Sequence, residues 1–108
     1  MKNALALVLC LAGLPVQAQT IGSAEAAKGK ISMCIGCHGI PRYKSVFPEV
    51  YSVPMIAGQP REYIVKALQA YRAGDRSHPS MQGIAKSLSD QDIADVAAYY
   101  GRSGKERK

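Results

Sequence analysis

Cys34-Ile35-Gly36-Cys37-His38 is the stretch on which the reading of this chain turns. Two thiols three positions apart lie on one turn, and an imidazole follows at once. Each thiol can add to one vinyl group at an edge of a haem, and the imidazole can swing onto the iron from one side. The spacing is that of a c-type haem attachment site. Gly36 keeps the turn free of bulk near the ring. Two other chemistries use the same residue types. A dithiol redox motif wants a βαβ setting, whereas the flanking sequence is helical in character. A zinc site needs four ligands. Cys34, Cys37, His38 and His78 supply four, but the neighbours Cys37 and His38 do not easily reach one tetrahedral ion. The expectation is one covalent haem c, bound through Cys34 and Cys37.

The composition asks for such a group. The 108 residues give room for one small domain. A chain of this size buries only roughly 60% of its unfolded surface, and small domains usually need a staple. Trp is absent and Phe47 is the single Phe, so large aromatic side chains do not fill a core. A disulfide between Cys34 and Cys37 would close too short a loop to restrain the unfolded chain much.

The first residues differ from the rest. Lys2 precedes an apolar run from Ala4 to Leu14, Pro15 breaks it, and Val16-Gln17-Ala18 offers short side chains to a signal peptidase. Residues 1–18 are expected to be a cleavable secretory signal peptide, and residues 19–108 the monohaem domain. Cys10 leaves with the signal. The apolar run is short for a bilayer span, so no stable membrane anchor is expected after cleavage. An uncleaved anchor is the alternative. The expected location is periplasmic or otherwise exported.

Along the remaining chain, Ser23 can cap a first helix running from about Ala24 towards Met33. From Gly39 to Pro60 no period is sustained, and Pro41, Pro48, Pro54 and Pro60 punctuate a long loop of the kind that wraps a ligand. Pro60 opens a second helix in which Tyr63, Ile64, Ala67, Leu68 and Tyr71 recur at helical spacing, and Gly74 ends it. A polar turn leads to a short helical piece over Gln82 to Ser87. Ser89 with Asp90 and Asp92 starts a last helix, whose face is Ile93, Val96, Ala97 and Tyr100. No strand pair is visible. The class is all-α, with three main helices and loops wrapped around the haem.

His38 leaves one axial position on the iron. Met33 lies too close to the attachment turn. Met55, between Pro54 and Ile56, reads more readily as apolar filler. Met81, in a Pro-containing turn between two helices, is favoured, with His78 as the imidazole alternative. Met ligation raises the reduction potential and closes the iron, which favours electron transfer over ligand chemistry.

The sequence resembles class I cytochromes c, especially the bacterial cytochrome c553 and cytochrome c4-half type. Three blocks carry the resemblance: Cys34 to Gly39; Pro54-Met55-Ile56-Ala57-Gly58-Gln59; and Met81 through Ile84-Ala85, Leu88-Ser89, Asp92-Ile93 and Ala98-Tyr99-Tyr100, together spanning about residues 23–101. It implies a small class I cytochrome c fold, with His38 and Met81 as axial ligands and the Pro54 carbonyl accepting the His38 ring N–H. Two departures stand out. Ala27 occupies a position that is often Gly, at a close contact of first and last helices. Ile40 to Val53 is not the usual short polar stretch. Within it, Tyr43 and Tyr51 have two readings: packing over the haem or bonding a propionate, and plain loop packing.

The net charge is +6. Lys44, Arg61, Lys66, Arg72, Arg76 and Lys86 are candidates to border the haem edge and steer redox partner proteins with acidic docking surfaces. No motif supports nucleic-acid binding. The expected function is single-electron transfer through a His/Met-ligated haem, without enzymatic activity. The alternatives are a haem subunit of a larger dehydrogenase or oxidase, and a gas-binding or peroxidatic haem protein.

Overall fold

The computed structural model describes residues 20–46 and 50–102. The expected signal peptide, the Phe47 site and the tail beyond Arg102 lie outside these residues. The chain is mostly helical. In order come α1 (Ala24–Ala27), α2 (Ser32–His38), β1 (Lys44–Ser45), β2 (Tyr51–Ser52), α3 (Arg61–Ala73), α4 (Pro79–Lys86) and α5 (Asp90–Tyr100).

The expected first helix is two pieces. Ser23 caps α1, its hydroxyl accepting from the Ala26 N–H. The chain then tightens through Lys28–Ile31, where the Lys30 N–H bonds the Ala27 carbonyl at 2.7 Å, three residues back. Gly29 in this turn weakens helix continuity. The break re-phases the chain, so that Ile31 enters the core and α2 carries the Cys34–His38 motif.

A small hairpin interrupts the expected loop. β1 and β2 pair antiparallel, Lys44 opposite Ser52 and Ser45 opposite Tyr51. Two-residue strands leave no alternation for sequence reading to detect.

The later helices follow their end signals. Gly74 takes φ 90°, and its N–H bonds the Ala70 and Tyr71 carbonyls, which closes α3. A side chain at that φ is strained, hence glycine. Ser89 and Asp92 cap α5 reciprocally. α4 begins one turn earlier than its apolar pattern suggests. Pro79 occupies its first turn, and His78, an unusual cap, accepts from the Met81 N–H at 3.5 Å.

The core is Ala27, Ile31, Ile64, Leu68, Leu88, Ile93, Val96 and Ala97, with Cys34, Val65, Met81 and Tyr100 packed on its rim. The N-terminal segment packs on α5. Ala27 is fully buried in that contact, and the backbone also comes close at Gly22, where a Cβ would lie 1.9 Å from the Ala94 carbonyl oxygen. One buried charge fastens it. Asp95 accepts from the Ser23 N–H at 2.8 Å, the Lys30 ammonium at 2.8 Å and the Gln91 amide at 2.9 Å. Lys30 also pairs with Asp92 at 2.6 Å. The hydrogen bonds from Lys30 hold both carboxyls down at about 2, with Ser89 assisting at Asp92 and Ser23 at Asp95.

Candidate functional site

Every element except α1 contributes to one apolar cleft, which holds about 1270 Å³ of open space, its mouth included. α2 contributes Cys34, Cys37 and His38. The loop before α3 contributes Pro54 and Ile56, and α3 lines the cleft with Tyr63, Ile64, Ala67, Leu68 and Tyr71. The stripe read from the sequence as a helix face is therefore largely a cleft wall. α4 adds Met81 and Ile84, and Val96 of α5 lies deeper.

The two thiols differ. Cys34 is half-buried against the core, and burial pushes its thiol up from the ordinary value. Cys37 is exposed. Both stay on one side of the α2 turn because they are three residues apart on a helix.

His38 ends α2 with its ring directed by a specific bond. Its Nδ1–H donates to the Pro54 carbonyl at 2.6 Å. Pro54 lacks an N–H to spend locally, and its loop is anchored downstream. The Gly58 N–H donates to the Tyr100 carbonyl at 2.8 Å, and the Arg102 N–H to the Gln59 carbonyl at 2.8 Å. The end of α5 thus fixes the loop that fixes the imidazole. Because Nδ1 donates, Nε2 carries the lone pair available to a metal.

Met81 is half-buried, packs on the core and lines the cleft. Met33 and Met55 also line it, but both are nearly half exposed, at 44% and 47%. His78 lines the cleft while its Nδ1 caps α4, and its ring meets Tyr51 edge-on at 4.7 Å. Tyr51 therefore reaches the cleft; Tyr43 does not line it.

The basic residues do not converge. Arg76 is a cleft residue. Arg72 binds the Leu88 carbonyl at 3.2 Å and Asp90 at 2.5 Å, which ties α3 to the start of α5. Arg61 and Lys66 line a different groove, between the N-terminal segment, α3 and α5. Of the six basic candidates for the haem edge, Arg76 is the one that lines the cleft, and Gln59 lines it within the Pro54–Gln59 block; sequence reading missed the cleft position of Ser45, for which no periodic signal exists. No metal-holding group of three or more His, Cys, Asp or Glu occurs among the described residues. No described helix is long and apolar enough to cross a membrane.

A helical domain that gathers two thiols, an oriented imidazole and a thioether around one apolar cleft has counterparts among known proteins. The cytochrome c family model matches residues 24–100. The chain belongs to the cytochrome c family. It is 36% identical to cytochrome c4 of Stutzerimonas stutzeri over 93% of this chain and 50% of that protein. It is 40% identical to cytochrome c-554(548) of Halomonas halodenitrificans over 73% of this chain and 94% of that one. The crystal structure of reduced recombinant cytochrome c4 from Pseudomonas stutzeri superposes with a TM-score of 0.57 at 33% identity, covering 75% of this chain and 47% of that chain. The chain thus spans about half the length of the cytochrome c4 relatives it matches.

Proposed function

We propose that this chain is an exported monohaem electron carrier, with Cys34 and Cys37 as the covalent attachment residues and His38 and Met81 as axial ligands. The observation that carries the reading is the His38 Nδ1–H bond to the Pro54 carbonyl, which presents Nε2 as a metal ligand beside two thiols in an apolar cleft. The residues present fit a haem. The thiols sit on one turn, the cleft wall is hydrocarbon, and a thioether lies in the same cleft.

When bound, the haem iron supplies a one-electron ferric/ferrous couple. Cys34 and Cys37 would each hold the haem through a thioether formed by adding S–H across a vinyl group, which needs no external oxidant or reductant. The Pro54 carbonyl fixes the ring plane and tautomer of His38 and raises its basicity. Met81 would supply its thioether to the iron and so favour the reduced state. Ile64, Leu68 and Val96 exclude water and lower the local dielectric, which also favours the less charged reduced centre.

The basic net charge suits an acidic redox partner. Lys44 on the hairpin and Lys86 on α4 are exposed and remain available for steering. Export rests on residues 1–18.

The test is intact-mass analysis of the denatured protein after expression with haem-attachment machinery. A chain beginning at Gln19 and carrying one haem supports the reading. A haem-free chain sinks it, and a haem-bearing chain that keeps residues 1–18 removes the cleavage claim.

A further inference from the structure

Three backbone bonds join the end of α5 to the segment that follows Pro54. The Gly58 N–H donates to the Tyr100 carbonyl at 2.8 Å, the Arg102 N–H to the Gln59 carbonyl at 2.8 Å, and the Arg61 N–H to the Arg102 carbonyl at 3.3 Å. The last two make a parallel bridge in which Arg102 lies beside Pro60. Arg102 bonds to the residues on either side of Pro60, so the missing N–H of that proline leaves no gap.

The bridge forms because α5 stops at Tyr100. Gly101 leaves the helix in an extended conformation, φ −82° and ψ 157°. A further helical residue would carry Arg102 away from Gln59. Gly101 is also confined between two backbones. A Cβ there would lie 2.5 Å from the Ala97 carbonyl oxygen and 2.9 Å from the Arg61 Cα. Neither is the end of a flexible side chain, so a larger residue pushes this segment off the start of α3. On the opposite side, Gly58 at φ 86° turns the chain into the bridge.

No residue from Pro54 to Pro60 is buried, so side-chain packing does little to hold this stretch. The Pro54 carbonyl is instead strung between two backbone anchors. Upstream, the Val53 N–H bonds the Tyr43 carbonyl at 2.9 Å; downstream, the bonds to Tyr100 and Arg102 begin at Gly58. We infer that Gly101 and the Arg102 backbone are positioning elements for His38: the bridge sets the strength of the His38–Pro54 bond and, through it, the reduction potential. This rests on the proposed ligation of haem iron by His38. A firmly held carbonyl draws on the Nδ1 proton and makes Nε2 the stronger donor, which favours the ferric state. A loosened carbonyl does the reverse, so breaking the bridge raises the potential. Letting water into the cleft has the opposite sign, because a wetter site favours the more charged ferric centre.

The experiment uses the holoprotein and its variants Arg102→Pro and Arg102→Ala. Both remove the same exposed side chain and charge, and only the first also removes the N–H given to Gln59. Gly101 already has the extended backbone that a following proline demands. Gly101→Ala opens the bridge by volume, and Gly22→Ala, which crowds Ala94 instead, controls for a general loss of stability. Two quantities are read: the reduction potential, and the rate at which the His38 Nδ1 proton exchanges with water, followed by NMR of the isotope-labelled reduced protein. Arg102→Pro and Gly101→Ala raise the potential and speed the exchange several-fold. Arg102→Ala and Gly22→Ala leave the exchange at the parent's rate, and neither raises the potential. The inference is overturned if Arg102→Pro exchanges the proton no faster than Arg102→Ala, or has a potential no higher. Should Arg102→Pro fail to fold, Gly101→Ala against Gly22→Ala decides by the same readouts. A parent without covalent haem, or with His38 off the iron, defeats the underlying proposal instead, so the two failures are distinguishable.

Discussion

The His38 ring donates its Nδ1–H to the carbonyl of Pro54 at 2.6 Å, across sixteen residues of loop and hairpin. The attachment motif and the Pro54 loop are thereby one unit. The loop is in turn held by the last helix, through the Gly58 bond to the Tyr100 carbonyl. Orientation of the candidate metal ligand therefore depends on the whole fold.

Met81 is the thioether best placed in the cleft, and its replacement separates carrier from ligand-binding chemistry. Met81→Ala is expected to yield a reduced protein that binds carbon monoxide. Met81→His is expected to stay low-spin at a lower potential, since a thioether ligand raises the potential relative to imidazole. Spectroscopy and potentiometry on the two variants check both outcomes.

Asp95 ties the N-terminal segment to α5 through Ser23, Lys30 and Gln91. Asp95→Asn leaves the Lys30 ammonium with Asp92 alone, and is expected to lower the melting temperature by about 5–10 °C. In a Lys30→Met background the further cost of Asp95→Asn should shrink, because the partner charge is already gone. Thermal unfolding of the four proteins gives the coupling.

The same network sets an acid limit. Asp92 and Asp95 titrate at about 2 in the folded chain, against 3.8 for an ordinary aspartate. The unfolded chain therefore binds protons first as pH falls. The stabilisation is complete above the unfolded value and is lost between about pH 4 and pH 2. Melting temperature against pH should fall through this window, and Lys30→Met should flatten the fall.

Gly22 is required by space. A Cβ there would meet the Ala94 carbonyl oxygen at 1.9 Å, so backbone must move. Gly22→Ala is expected to destabilise the protein by about 1–3 kcal/mol, measurable by denaturant unfolding, without changing the absorption spectrum.

Much of this architecture is legible in the sequence because its signals are local. Gly74, the Ser89–Asp92 box and the Cys34–His38 run each act within a few residues. The attachment motif also announces that the chain is built around something. The hairpin is illegible because its strands are two residues long. The first turn of α4 is hidden because His78 is a poor cap by type, although the chain uses it as one. The Lys30–Asp95 pair joins residues 65 apart, and nothing in the helix pattern of α5 marks Asp95 as buried. Arg76 is legible in the sequence only as one of six basic candidates for the haem edge, and which of the six lines the cleft is hidden for a related reason. Its position depends on Tyr63 at the start of α3 and on how that helix packs, and charge alone reads as surface.

On the proposed reading, His38 and Met81 close both axial sites of one covalent haem. The most direct measurement is the absorption spectrum of the exported holoprotein, oxidised and then reduced, before and after carbon monoxide. Sharp low-spin reduced bands, a methionine-to-ferric charge-transfer band and no response to carbon monoxide are expected. A low-spin spectrum without the methionine band would transfer the ligand role to His78, and a high-spin or carbon-monoxide-reactive haem would contradict the carrier altogether.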